Sequence, residues 1–173
     1  FKTLRVGTLH ASTHQKLHRI VGEETHFNPL LLEEHLQTLT NEIIGLEEEY
    51  VRKMAELPVK KRSYKRELLQ RLLIAENYLQ DHRYGSIKLN ELAQACNLSP
   101  YYLHRLFRQV FGSSPAEYQE RLRMTEAKKK LPGATSVKAV AYALGYSDEG
   151  YFSRRFKKFH GFSPSACLQA KQL

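Results

Sequence analysis

Cysteine is scarce in this chain. Two of its 173 residues, Cys96 and Cys167, are cysteines. Two cannot make a disulfide framework or a four-ligand zinc site, so both are read as core thiols and a reducing cytoplasm is the expected compartment. Long apolar runs are absent too. None approaches the roughly 18 residues of a membrane span, and no signal-peptide pattern opens the chain. No nucleophile–base pair, phosphate loop or carboxylate pair stands out, which argues against an enzyme, and no cofactor is implied. Acidic residues are outnumbered: the net charge is +9. The chain begins at Phe1 rather than methionine, as expected of a piece of a longer protein.

What is present begins with the distribution of that charge. Residues 1–60 hold 7 Lys and Arg against 9 Asp and Glu, whereas residues 61–173 hold 20 against 9. The basic half points to a polyanionic partner, most simply nucleic acid. That half also contains a duplication. LAQACNLSPYYLHRLFRQVFGSSP, from Leu92 to Pro115, recurs as VAYALGYSDEGYFSRRFKKFHGFSP, from Val140 to Pro164. Leu98-Ser99 match Tyr146-Ser147, and Arg105, Phe107 and Gly112 match Arg154, Phe156 and Gly161. The second copy has one extra residue, assigned to the first turn of its helix. One supersecondary unit used twice is implied.

Each copy reads as a helix-turn-helix. A short helix over Leu89 to Cys96 buries Leu92, Ala93 and Cys96. Asn97 turns the chain in a left-handed conformation, and Gly145 does so in copy two. Small residues at 93, 95, 141 and 143 fit two helices crossing closely. Ser99 caps the next helix, with Pro100 at its first position. Leu103, Leu106, Phe107 and Val110 face inward in that helix, and Tyr151, Phe152, Phe156 and Phe159 in its counterpart. Gly112 and Gly161 end the two helices, at about 99–111 and 148–160. Ser114 to Glu117 form a capping box that opens a joining helix to about Leu131, which Pro132-Gly133 breaks. A helix is about as wide as the DNA major groove, and arginine grips guanine with two hydrogen bonds. The matched Arg105 and Arg154 are therefore assigned to base edges, while Lys157 and Lys158, further along, suit phosphate.

The N-terminal part reads differently. FKTLRVGTL suggests a short strand. His10, His14 and His18 share a face at spacings that suit a metal, but no carboxylate or cysteine completes a shell, and they are read as surface side chains. Asn28-Pro29 starts a helix that runs to about residue 57. Leu32, Leu36, Leu39, Ile43, Leu46 and Tyr50 trace a heptad seam along it, and Lys53 breaks it. Such a seam suits a homodimer. Pro58 ends the helix, Ser63 is the expected cap of the next, and the domain boundary is placed at 60/61.

From about residue 64 to 170 the chain resembles the DNA-binding domain of AraC/XylS-type bacterial transcription regulators, most closely through AYALGYSDEGYFSRRFKKFHGFSPSAC with RLRMTEAKKKL ahead of it. The resemblance implies an all-α fold: two homeodomain-like helix-turn-helix subdomains joined by a long helix, here preceded by the amphipathic helix at 29–57. It implies a sequence-specific regulator of transcription, with activator as the expected sign, placing two recognition helices in successive major grooves. Base contacts carry over to Tyr101, His104 and Arg105, and to Glu149, Gly150, Ser153 and Arg154. Gly150 departs from the family's usual polar residue and offers no side chain for readout. Phosphate contacts are assigned to Ser99, Tyr102, Arg108, Arg121, Arg123, Ser147, Arg155, Lys157 and Lys158. Double-stranded DNA and RNA polymerase are the implied partners; a small-molecule effector would act only through an upstream sensing domain. Related domains fused to DNA-repair methyl acceptors need a cysteine-rich zinc centre, which this chain lacks. The competing reading is a helical protein-interaction module.

Overall fold

A computed structural model describes residues 29–85 and 87–169. The expected strand, His10, His14, His18 and the Asn28 cap lie outside them. Among the described residues every regular element is a helix: α1 (Pro29–Glu56), α2 (Arg62–Asp81), α3 (Leu89–Ala95), α4 (Pro100–Phe111), α5 (Pro115–Lys130), α6 (Val137–Ala143), α7 (Glu149–His160) and α8 (Pro164–Gln169), with a 3-10 turn over Leu131–Gly133. None of these helices is long and apolar enough to cross a membrane. One compact unit ends at Gln70 and a second begins at Arg71, inside α2.

In the first unit, α1 runs unbroken through Gly45. Its seam is largely uncovered: Leu36 and Ile43 are each 53% exposed and Leu46 is 47% exposed. Lys53 sits on that seam and is buried, its ammonium 2.9 Å from Glu49 one turn back. The last carbonyls of α1 find a donor in Lys65, whose Nζ reaches Met54 O at 3.0 Å, so these helix-end acceptors are satisfied by a cation. Ser63 does not cap α2. The helix already includes Arg62, and Lys65 N bonds Lys61 O at 3.0 Å, which makes Lys61 the starting residue.

The second unit holds both helix-turn-helix copies. Their turns agree atom for atom. Asn97 N bonds Gln94 O and Leu98 N bonds Ala93 O, at 3.1 and 3.0 Å; Gly145 N bonds Tyr142 O and Tyr146 N bonds Ala141 O, each at 3.0 Å. Both are Schellman endings, with Asn97 at φ 53° and Gly145 at φ 81°. Ala93 and Ala141 are buried where the helices cross, but Ala95 and Ala143 face solvent. The small-residue requirement therefore holds at one position per copy, because residues two apart on a helix point to different sides.

Helix α4 is capped by Ser99, whose Oγ accepts from Tyr102 N at 3.3 Å. Helix α7 is capped by Asp148, which accepts from Tyr151 N, and not by Ser147. Both helices have 12 residues and both stop at a left-handed glycine. The extra residue of copy two thus lengthens the turn and leaves the helix unchanged. Leu103, Leu106 and Phe107 are fully buried in copy one. Phe152 and Phe156 are so in copy two, but Tyr151 and Phe159 are 49% and 45% exposed, against the inward placement their spacing suggests. The core beneath α7 is built of Met124, Ala127, Leu131, Val137, Val140, Ala141 and Leu144 around Phe152 and Phe156, and its third buried ring is Tyr146, from the turn, rather than Tyr151 or Phe159.

Candidate nucleic-acid interface

Superposing the copies by their caps pairs Tyr101 with Gly150, His104 with Ser153, Arg105 with Arg154, and Arg108 with Lys157. On α4, Tyr101 is 78% exposed, and His104, Arg105 and Arg108 are exposed around it. Arg105 lies 5.3 Å over the Tyr102 ring, a cation–π contact that limits where the guanidinium can point. On α7, Glu149, Gly150, Arg154, Lys157 and Lys158 are exposed and Ser153 is half-buried. Glu149 and the Asp148 cap place negative charge at the N-terminus of α7, where the helix dipole favours it. The same charge repels phosphate there and leaves the far end, with Lys157, Lys158 and His160, as the basic part of the helix.

The residues assigned to phosphate divide into two groups. Ser99, Ser147, Arg108, Lys157 and Lys158 are exposed, with Ser99 also serving as a cap. Arg121 is exposed and stacks 4.9 Å over Tyr118; Tyr102 is half-buried beneath Arg105. Arg123 and Arg155 are used inside the domain. Arg155 Nε donates to Glu120 Oε1 at 2.8 Å, in the place that Leu106 fills in copy one. That bond holds its charge more firmly than usual, raising the guanidinium pKa. Tyr146 donates to the same carboxylate at 3.1 Å, and burial, followed by that negative neighbour, pushes its phenol well above the ordinary range. Arg123 Nε donates to Arg83 O at 2.7 Å and Nη2 to Gly85 O, with its carbon atom Cζ 5.6 Å over the Tyr146 ring.

Sequence reasoning missed two polar partners on α5, the acceptor Glu120 and the donor Gln119. Glu120 binds both Tyr146 and Arg155, and Gln119 Nε2 donates to His82 O and Gly85 O at 3.1 and 2.9 Å. The repeat itself carried a signal for Arg155, since an arginine facing the position of a buried leucine must find an acid or remain uncompensated. Among the described residues no cluster of three or more His, Cys, Asp and Glu is placed to hold a metal.

A helix-turn-helix domain family model matches residues 92–170. The HTH-type transcriptional regulator YisR of Bacillus subtilis is 37% identical over 91 residues, 52% of this chain and 32% of that protein. The HTH-type transcriptional activator RhaS of Escherichia coli is 34% identical over 101 residues, 58% of this chain and 36% of its own length. The chain therefore spans about a third of the length of the curated relatives it matches. In structure it is similar to the C-terminal domain of AraT, a response regulator from Geobacillus stearothermophilus, with a TM-score of 0.54, 31% identity, and coverage of 57% of this chain and 84% of that one. The paired, glycine-ended helix-turn-helix units, and the match to these proteins over the same residues, place the chain in the AraC/XylS-type family of helix-turn-helix regulators.

Proposed function

We propose that this chain is a sequence-specific, double-stranded-DNA-binding regulator of transcription that presents α4 and α7 to successive major grooves. One observation carries this reading. Two helices of equal length, each opened by a side-chain cap and closed by a left-handed glycine, expose arginine at the equivalent position, Arg105 and Arg154. Each arginine can discriminate guanine by about 1–3 kcal/mol. The positive charge of residues 61–173 supplies the sequence-independent part of the affinity, which makes binding steeply salt-dependent.

Base readout is assigned to Tyr101, His104 and Arg105 in the first helix and to Ser153 and Arg154 in the second. Glu149 is positioned to accept from a cytosine amino group, and the bare Gly150 lets the DNA backbone or a base edge approach α7. Arg108, Arg121, Lys157 and Lys158 remain as the phosphate contacts. Activation through RNA polymerase is proposed from the activator name that the relative RhaS bears. A cytoplasmic location follows from that role. Self-association through α1 is proposed from its uncovered seam of Leu36, Ile43 and Leu46.

Selection of binding sites from random duplex DNA with the whole chain tests this reading. The expected result is a consensus of two half-sites one helical turn, about 34 Å, apart. Recovery of no consensus, together with a stable protein complex, would favour the protein-interaction module instead.

A further inference from the structure

We propose that the loop after α2, residues 82–85, is a clamp that fixes the spacing and rotational phase of the two recognition helices, with Arg123 as its positioning residue. The proposal rests on reading both helices as DNA readers. The joining helix α5 packs Tyr118 against Phe107 and Phe111 of the first half and Met124 and Ala127 into the core of the second, so each half is seated on one helix. The loop adds a second, polar link beside that packing. It leads into the first helix-turn-helix, and three of its carbonyls, those of His82, Arg83 and Gly85, accept hydrogen bonds from Gln119 and Arg123 on one face of α5. Arg123 also touches the second half, because its guanidinium lies over the Tyr146 ring.

The loop meets the second half directly as well. A Cβ at Gly145 would stand 2.0 Å from Tyr84 O, so the backbone of the first half presses against the turn of the second at a distance that glycine alone permits. Glu120, the residue after Gln119, then holds Tyr146 and Arg155 from the other half. The fork of an arginine can bridge two carbonyls while its face stays on a ring, which a lysine cannot reproduce. Arg123 is therefore fitted to lock two halves together.

Arg123→Met and Arg123→Lys test this. Methionine keeps an apolar stem on Tyr146 and removes the donors; lysine keeps the charge and removes the fork. Spin labels at Gln109→Cys and Lys158→Cys, in a Cys167→Ser background, report the distance between α4 and α7 in DNA-free protein. Both Arg123 variants should broaden that distance distribution while thermal melting still shows a folded domain. An unchanged distribution would overturn the clamp whatever the DNA result.

The second readout is binding to the selected duplex and to one carrying two extra base pairs between the half-sites. The wild-type chain should lose about 100-fold or more on the lengthened duplex, because simultaneous engagement is forbidden. Both variants should lose less than about tenfold. An equal loss by the Met variant on both duplexes, with a flattened salt dependence and normal behaviour of the Lys variant, would make Arg123 a phosphate contact and overturn the proposal. Absence of any selected site for the wild-type chain would instead overturn the DNA reading on which it rests, a result the spin-label distances identify separately.

Discussion

Arg155 and Glu120 form an ion pair at 2.8 Å across the joint between α7 and α5, in the position where Leu106 is buried in the first copy. The two halves thus solve one packing problem in two ways, with an apolar side chain in one and a charge pair in the other. The pair is partly solvated, with side chains 38% and 19% exposed, so its net worth is about 1 kcal/mol rather than the several of a dry pair. A double-mutant cycle of Arg155→Ala and Glu120→Ala, measured by urea unfolding, should give a coupling of about 1 kcal/mol. Zero coupling would mean that the pair adds nothing to the stability of the joint.

Gly145 and Gly150 should respond in opposite ways to alanine. Gly150 lies in the first turn of α7, where an added Cβ would sit 3.4 Å from Asp148 Oδ1 and 3.6 Å from Arg154 Nη1. Gly150→Ala should stabilise the domain by about 0.5–1 kcal/mol through helix propensity. Gly145→Ala should destabilise it by about 2 kcal/mol or more, from the left-handed φ and the Tyr84 carbonyl together. Urea midpoints of the two variants decide the matter.

The hydrogen bonds at the start of α5 make stability depend on pH. Glu117 accepts from Ser114 N and Ser114 Oγ, both at 2.8 Å. These two bonds, the backbone one foremost, hold its carboxyl below the ordinary value of 4.5. Because the folded pKa is depressed, the contribution is complete above the unfolded value and is lost as pH falls through the folded one. Thermal melts of the wild type should fall on acidification below about pH 4.5 more than those of Glu117→Gln, which keeps an acceptor oxygen in the capping box. Parallel acid limbs would contradict this.

Helix α1 supplies a separate prediction. Ile43 and Leu36, each about half exposed, would be covered if the seam joins two copies. Ile43→Asp should shift sedimentation toward monomer while leaving the melting of residues 71–173 within about 0.5 kcal/mol of wild type, as for a surface change. A monomeric wild-type chain at micromolar concentration would remove the basis for the dimer.

The duplicated turns were legible because their chemistry is local. Asn97 and Gly145 have the left-handed tolerance the Schellman ending needs, and Ser99 and Ser114 cap the helices that follow them. Where two neighbouring residues cap equally well, sequence cannot choose. Ser147 and Asp148 are such a pair, and the choice decides whether the extra residue lengthens the turn or the helix. Tyr151 and Phe159 show a different limit: periodicity names a face, but the rings that fill the core against it also come from other elements, as Tyr146 does from the turn. Arg123 shows a third. Its partners are main-chain carbonyls, which every residue has, so no side-chain pattern marks them.

The central claim is that Arg105 and Arg154 are matched readers on equivalent helices. Binding of Arg105→Ala and Arg154→Ala to the selected duplex and to random duplex, at one fixed salt concentration, tests it most directly. Each variant should lose about 1–3 kcal/mol on the selected duplex and much less on random DNA, with preference relaxed at a different half-site for each. An equal loss on both duplexes, or relaxation at the same half-site, would contradict it.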